Sequence, residues 1–129
     1  MVLILDTHTL LWFMTGGKLV GKRALDFIEK TDYPLVIPSI VLAEIKHLAA
    51  RERISVPFSR VLDLLQDDSR FLIYPLDLDV LEIMPTNLEI HDAIICGTAI
   101  VYDKILEEDV IVLTKDEAIR KSGIVKTAW

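Results

Sequence analysis

The segment VLILDTHTLLWFM, residues 2–14, decides the fold class by joining an apolar run to an aspartate and then to a second apolar run. The wholly apolar Val2 to Leu5 predicts a central parallel strand that is covered on both faces. Thr7 to Met14 predicts a helix, and its unbroken apolar run from Leu10 to Met14 is wider than one helical stripe. We therefore expect a buried strand ending at Asp6, followed by a helix that needs cover on both sides.

Short apolar runs alternate with helical stretches along the rest of the chain. Further strands are expected at Leu35 to Ile37, Phe71 to Tyr74, Val110 to Leu113 and Ile124 to Ala128. Helices are expected at Gly21 to Lys30, from an N-cap at Ser39 to about Arg53, after Pro57, and at Asp77 to Met84, Ile90 to Glu107 and Asp116 to Lys121. The alternation predicts a three-layer α/β/α sandwich with a central parallel sheet of four to five strands, as one domain over residues 1–129.

Composition and the distribution of charges restrict the cellular location of the protein and the partners it can bind. No uncharged run reaches the roughly 20 apolar residues that span a bilayer, and the N-terminus lacks the basic region of a secretion signal. A cytoplasmic protein without a membrane segment is expected. The single Cys96 excludes an internal disulfide, and a hydrophobic fraction of 52% indicates apolar surface kept for a partner, self-association included.

The net charge of −6 disfavours a nucleic-acid partner, because phosphate affinity comes mainly from Lys and Arg. Two divalent cations bound by four of the acids would bring that charge to −2. Basic residues also cluster, although a solvated helix face is the better explanation for any one such cluster. The clusters are Lys18, Lys22 and Arg23; Lys46, Arg51 and Arg53; and Lys115, Arg120, Lys121 and Lys126.

Two aspartates follow predicted strands. Asp6 ends the first apolar run, and Asp116 lies just beyond Val110 to Leu113. In open parallel sheets ligands bind beyond the carboxyl ends of the strands, where strand ends and helix starts converge. For either residue alone, capping of the next helix is an equally good explanation.

Two further acids lie on apolar helical stripes. Glu44 follows Val41 by three residues and precedes Leu48 by four, so it shares the face expected to meet the core. Asp92 shares its face with the small or apolar residues at positions 95, 96 and 99. A buried lone charge is costly, so each carboxylate should meet a basic side chain or a metal ion.

The sandwich could bring these four acids together at one end of the sheet. Oxygen-only ligand sets suit hard cations such as Mg²⁺ or Mn²⁺, which bind substrate phosphates and support in-line phosphoryl displacement. The histidines form no zinc spacing with Cys96. His8 and His91, each beside a candidate acid, are placed to orient a water or to contact RNA.

Four segments carry a combination of motifs that is more specific than any one of them. They are LILDTHTLLWF at 3–13, SIVLAEI at 39–45, LEIHDAIICGTAI at 88–100 and VIVLTKDEAIRKSGIVKTAW at 110–129. Together they resemble a PIN domain, most of all the VapC-type toxins of toxin–antitoxin pairs, over essentially the whole chain. Ala93 departs from the HDRII frequent among such toxins, which weakens any inference about base contacts near Asp92.

The resemblance implies endonucleolytic cleavage of RNA at a site that binds Mg²⁺ or Mn²⁺. Asp6, Glu44, Asp92 and Asp116 match the family's acidic positions, as catalytic residues and metal ligands. Thr114 matches a supporting hydroxyl, and we expect Thr7, His8 and His91 to support the site as well. The resemblance also implies a homodimer and an antitoxin protein whose peptide lies in a hydrophobic groove, with an arginine reaching toward the acids.

Two alternatives remain at this point. A haloacid dehalogenase-like phosphatase also begins with an apolar strand and a nucleophilic Asp, but its signature has a second acid two residues later, where this chain has His8. A catalytically silent PIN-fold binding module would act only through its partner. The complete set of acids argues against such a module.

Overall fold

The computed structural model describes residues 1–129 as five strands and seven α-helices. The strands are β1 (Val2–Leu5), β2 (Leu35–Pro38), β3 (Phe71–Tyr74), β4 (Val110–Leu113) and β5 (Thr127–Ala128). The helices are α1 (Thr7–Met14), α2 (Lys22–Lys30), α3 (Ser39–Ala50), α4 (Phe58–Asp67), α5 (Leu78–Ile83), α6 (Ile90–Ile100) and α7 (Glu117–Ser122). A π-helical segment, Val101–Ile105, continues α6.

All five strands form one parallel sheet in the order β3-β2-β1-β4-β5. β1 lies at the centre, with Leu3 opposite Leu35 on one side and Ile111 on the other. Its side chains belong to a core of 23 buried residues, as expected for a wholly apolar strand covered on both faces. The predicted parallel α/β sheet flanked by helices is confirmed.

The strand order places a crevice between β1 and β4. From β1 the chain first builds outward through β2 and β3, and then returns to the other side of β1 to form β4 and β5. Connections that leave neighbouring strands in opposite directions open a gap at their carboxyl ends, where ligands bind in this class of fold. Asp6 directly follows β1, and Thr114 directly follows β4.

Several element boundaries differ from the sequence prediction. The N-cap of α3 is Pro38, so the prediction of Ser39 as the cap is wrong. The Ser39 hydroxyl instead accepts a hydrogen bond from the Leu76 backbone N–H at 3.0 Å, which ties α3 to the loop after β3. The last strand is only Thr127–Ala128, because α7 ends at Gly123 in the left-handed conformation and the chain pairs with β4 only after that turn.

The predicted long helix from Ile90 to Glu107 is also shorter and less regular than expected. Regular α-helix stops at Ile100, the π-helical turn follows, and Glu107 adopts a positive φ of 54° that turns the chain toward β4. None of the helices combines the length and the apolar character needed to cross a membrane.

Candidate active site

A cavity of about 490 Å³ lies at the carboxyl ends of β1 and β4, in the crevice that the strand order creates. All four acids predicted from the sequence line it, together with three of the four predicted supporting residues. The full lining is Asp6, Thr7, His8, Trp12, Glu44, Glu89, His91, Asp92, Ile95, Lys115 and Asp116. Thr114, the remaining predicted supporting residue, lies just beneath the cavity and is bonded to Asp6.

Asp6 is held in place by hydrogen bonds to both carboxylate oxygens. Its Oδ1 accepts from the Thr9 backbone N–H at 2.9 Å, which caps α1, and lies 2.7 Å from the Thr9 hydroxyl. Its Oδ2 accepts a short hydrogen bond from the Thr114 hydroxyl. The residue is only 8% exposed, and its orientation is fixed by Thr9 on α1 and by Thr114 directly after β4.

Thr114 connects the two aspartates that follow the strands. Its hydroxyl donates to Asp6 and accepts from the Asp116 backbone N–H at 3.0 Å. Asp116 in turn uses Oδ1 to accept from the Ile119 N–H at 3.0 Å, capping α7, while its Oδ2 has no hydrogen bond. Helix capping and placement in the cavity, considered as alternatives for these aspartates, therefore occur together.

Helices α3 and α6 contribute the other two acids. Val41 and Ile45 on α3 are fully buried, whereas the Glu44 side chain remains 28% exposed and faces the cavity rather than the core. Neither Glu44 nor Asp92 has a side-chain hydrogen bond, and the nearest basic side chain to Glu44 is that of His91, whose Nδ1 lies 3.9 Å from Glu44 Oε1. Lys and Arg form no ion pair with any of the four acids.

Asp92 shows the electrostatic consequence of this arrangement. Burial, followed by the neighbouring negative charges, raises the pKa of Asp92 to about 6. The contributing charges, in decreasing order, are those of Asp116, Glu89, Asp6 and Glu44. The neighbouring carboxylates are thus close enough to penalise the ionisation of Asp92, which is the property expected of a residue in a cation-binding cluster before its cation is present.

Glu89 is a fifth carboxylate in the cavity that the sequence reasoning missed. Its Oε2 accepts from the backbone N–H groups of His91 at 3.0 Å and Asp92 at 3.4 Å, capping α6. Its Oε1 lies 2.9 Å from His91 Nδ1, so the imidazole lies between Glu89 and Glu44. An acid just before an apolar helix is a recognisable capping signal, and it could have drawn attention to this position.

Trp12 and Lys115 also line the cavity and were not predicted as site residues. The Lys115 ammonium lies 5.8 Å from the centroid of the Trp12 ring, and the centroid of the His8 ring lies 5.3 Å from the same point. Lys115 is the sole Lys or Arg in the lining. Its position directly before Asp116 was the available signal.

Two other residues test whether this cavity suits a cation. Thr7 is 4% exposed, and its buried hydroxyl oxygen has no hydrogen-bond partner, which leaves one polar atom in the cavity wall unsatisfied. Cys96 is buried, and burial ahead of the nearby Asp92 charge raises the pKa of its thiol to about 12, so it stays protonated. With the thiol excluded, the carboxylates and the Thr7 hydroxyl offer oxygen donors, which suit Mg²⁺ or Mn²⁺.

The side chains do not form a ready-made metal centre. No three His, Cys, Asp or Glu side chains converge closely enough to hold an ion in their present positions. The donor chemistry nevertheless fits a hard divalent cation, since several carboxylate oxygens around the cavity have no other partner. Rotations of Glu44 and Asp92, the two acids without hydrogen bonds, would be the means of closing around it.

Comparison with known proteins identifies the family. The sequence model of the PIN domain matches residues 3–124. The chain belongs to the PIN domain family. This match confirms the family resemblance inferred from the four motif segments, and a haloacid dehalogenase-like phosphatase is not supported. PIN domains are generally nucleases.

Solved structures with this PIN domain's fold include two crystal structures of VapBC proteins. One is VapBC2 from Rickettsia felis bound to a DNA fragment from their promoter, with TM-score 0.69, 16% identity, and coverage of 99% of this chain and 98% of that chain. The other is DNA-bound VapBC from Salmonella typhimurium, with TM-score 0.65, 18% identity, and coverage of 99% and 97%. No curated protein matches this PIN domain by sequence.

Proposed function

We propose that this PIN domain, spanning residues 1–129, is a metal-dependent endoribonuclease that hydrolyses phosphodiester bonds in RNA. The observation that carries the proposal is the arrangement of Asp6, Glu44, Asp92 and Asp116 around one cavity without a single Lys or Arg ion pair. Carboxylates gathered in this way repel one another unless a cation lies among them. Membership of a family of nucleases supports the same chemistry.

The four acids would hold Mg²⁺ or Mn²⁺, and a bound ion of this type supplies positive charge to phosphate oxygens and lowers the pKa of water. Thr9 and Thr114 keep Asp6 in one orientation. Asp92, like Glu44, has no side-chain hydrogen bond, and before a cation binds, burial raises its pKa to about 6. A carboxylate oxygen of Asp92 that is not bound to a cation would be available to accept a proton from an attacking water.

The first test is RNA cleavage in Mg²⁺ or Mn²⁺, compared with EDTA and with Asp6→Asn and Asp92→Asn. Each substitution should lower the rate by at least about 100-fold, the usual contribution of a proton-transferring or charge-stabilising group. Asp63→Asn is the matched control, because Asp63 is exposed and has neither a hydrogen bond nor an ion pair. Cleavage by both site variants at the wild-type rate would remove the proposed site.

Metal binding gives a test that does not depend on activity. Calorimetric titration of Mg²⁺ or Mn²⁺ into the protein should show binding that Glu44→Gln weakens. The Glu44 carboxylate forms no ion pair with Lys or Arg, so its negative charge is available to the metal ion. An unchanged affinity would count against Glu44 as a ligand.

A catalytically silent binding module is the second candidate, and one observation favours it. The present side-chain positions do not bring three ligands together. Absence of both metal binding and cleavage in the two tests above would support the silent module over the nuclease.

The toxin role and the partners are part of the proposal. The two similar structures are VapBC proteins, which supports an antitoxin as the partner of this chain and the cytoplasm as its location. A second cavity of about 470 Å³ suits an apolar peptide of that antitoxin, since Leu11, Leu48, Ile54 and Val56 line it. It shares His8 and Trp12 with the acidic cavity. Co-expression with the product of a small neighbouring reading frame should give a stable complex.

A homodimer is proposed from exposed apolar side chains. Leu72 and Ile73 on the edge strand β3 are 47% and 52% exposed, and Leu78 and Leu81 on α5 are 67% and 52% exposed. Large apolar groups at a sheet edge are unfavourable in water unless a partner covers them. Sedimentation equilibrium should give twice the chain mass, and replacement of Leu78 and Leu81 by lysine should lower it to the monomer mass.

A further inference from the structure

The acidic cavity has a second side that the carboxylates do not explain. Besides the acids, the lining contains two aromatic rings and one basic group, namely the Trp12 indole, the His8 imidazole and the Lys115 ammonium. A volume of about 490 Å³ also exceeds what one or two hydrated cations need. The cavity is therefore shaped for a ligand that has a flat apolar part as well as a phosphate.

We propose that Trp12, with Lys115 beside its ring, binds one unpaired nucleobase of the RNA next to the scissile phosphate. This inference rests on the proposed nuclease function and names the part of the substrate that the cavity takes. A nucleotide joins a planar aromatic base to a phosphate within one residue. The aromatic and basic side chains, next to the carboxylates, match that combination.

The surroundings of Trp12 support a binding role for its ring. On α1 it lies five positions beyond Thr7, and its ring contacts the rings of His8 and Trp129 in tilted arrangements, at 5.3 and 5.8 Å between centroids. It is only partly buried, although it packs against the core. Stacking of a base on a partly exposed indole is favourable and tolerates any base, because every base has a π-face.

Lys115 gives the same position a positive charge. Its ammonium lies 5.8 Å from the Trp12 ring centroid and makes no ion pair with the acids of the site. A cation there can bind a phosphate oxygen that lies between the stacked base and the carboxylate cluster. Base stacking requires an unpaired nucleotide, so the favoured substrate is a single-stranded loop or end rather than a continuous duplex.

Tryptophan fluorescence tests this proposal directly, because the chain has only two tryptophans. In Trp129→Phe the sole remaining tryptophan is Trp12, which can be excited at wavelengths that tyrosine does not absorb. Adenosine monophosphate, which has no phosphodiester to cleave, should quench this emission in the presence of Mg²⁺, whereas ribose 5-phosphate should not. Absence of quenching by adenosine monophosphate at concentrations that saturate wild-type binding would overturn the proposal.

Calorimetric titration of adenosine monophosphate into variants that retain Trp129 gives a second readout. Trp12→Leu should weaken adenosine monophosphate binding by roughly 5- to 100-fold, the size of one base–aromatic stack, and Trp12→Phe should recover most of that loss. Lys115→Gln should weaken adenosine monophosphate and ribose 5-phosphate alike, since it removes a phosphate contact. Equal affinity of wild type and folded Trp12→Leu for adenosine monophosphate would also overturn the proposal.

Cleavage assays separate this inference from the nuclease proposal. If RNA is cut, Trp12→Leu should raise KM more than it lowers kcat, and the proposal fails if KM is unchanged. If RNA is not cut by the wild type but adenosine monophosphate still quenches Trp12, the nuclease proposal fails and the base-binding position stands.

Discussion

Asp92 provides the sharpest test of the electrostatics of the site, because its substitution should raise stability while it removes activity. Burial, and then repulsion from Asp116, Glu89, Asp6 and Glu44, raises the pKa of Asp92 from 3.8 to about 6. The ionised form is therefore less favourable in the folded chain than in the unfolded one. Asparagine has nearly the same shape and carries no charge, so Asp92→Asn removes this unfavourable term.

The magnitude and the pH window follow from the same pKa. Between pH 3.8 and about 6 the folded chain keeps a proton that the unfolded chain loses, so the stability of the wild type falls as pH rises through this window. Above pH 6 the full cost remains, at most about 3 kcal/mol. Asp92 is partly exposed, and solvent screening reduces the expected cost to roughly 1–2 kcal/mol. For a chain of this length that corresponds to a rise in Tm of roughly 4–7 °C.

Thermal unfolding followed by circular dichroism, in EDTA and at pH 4 to 8, measures the effect. Asp92→Asn should exceed the wild type in Tm above pH 6, and the two should approach each other below pH 4. The exposed control Asp63→Asn should follow the wild type at every pH. A variant that is less stable than the wild type at pH 7.5, or a difference that does not change with pH, would refute the assigned repulsion.

Three further predictions concern metal and packing. Saturating Mg²⁺ should raise the Tm of the wild type at pH 7.5 but much less that of Asp92→Asn, since binding to the folded state stabilises it, and equal shifts would argue against Asp92 as a ligand. Thr114→Val should lower the free energy of unfolding by about 2–4 kcal/mol, because it leaves a buried carboxylate oxygen and an N–H unpaired. Thr98→Val, which loses only a bond to a helical carbonyl, should cost less than about 1 kcal/mol, and a similar loss in both variants would contradict the assigned role. Gly97→Ala should lower the free energy of unfolding, measured in urea, by about 1–2 kcal/mol despite the helical preference of alanine. The added Cβ would lie 3.1 Å from the Met84 Cα, and a gain in stability would show that α5 can move away.

The central sheet could be predicted because its strands are wholly apolar and short. Val2 to Leu5 and Val110 to Leu113 have the wholly apolar composition of strands covered on both faces. The aspartate that caps the next helix follows the first strand directly and the second strand after two residues. The same rule predicts Asp6 and Asp116 at one end of the sheet from the sequence. That part of the site depends on local sequence and on the general geometry of parallel sheets.

Glu44 and Asp92 were identified as anomalies, but their surroundings could not be predicted. Helical periodicity gives the direction of a side chain only to within one face, so Glu44 was expected on the core side and instead lies at the cavity, displaced from fully buried Val41 and Ile45. The precise distance between α3 and α6 depends on packing that periodicity does not encode. The proximity of His91 to Glu44 is a product of that packing.

Of the polar and aromatic cavity residues that were not predicted, two lie in loops, and the third, Trp12, lies on α1. Glu89 reaches the cavity because it caps α6 and turns back to His91, and Lys115 reaches it because the loop after β4 passes beside Trp12. Both positions lie outside the apolar helical stripes on which Glu44 and Asp92 were recognised. The prediction of Ser39 as the cap of α3 was wrong for a related reason. The Ser39 hydroxyl accepts a hydrogen bond from Leu76, in a loop distant in sequence, rather than from its own helix.

His8 and Trp12 form a wall that is common to the acidic cavity and the apolar one beside it. If the proposed antitoxin peptide and the proposed RNA base occupy these two cavities, both contact the same two aromatic side chains. Substitutions of Trp12 that abolish binding of that peptide would then also weaken binding of the base. Under this proposal a variant that escapes inhibition would lose part of its activity, so the sequences of the two proteins would stay matched.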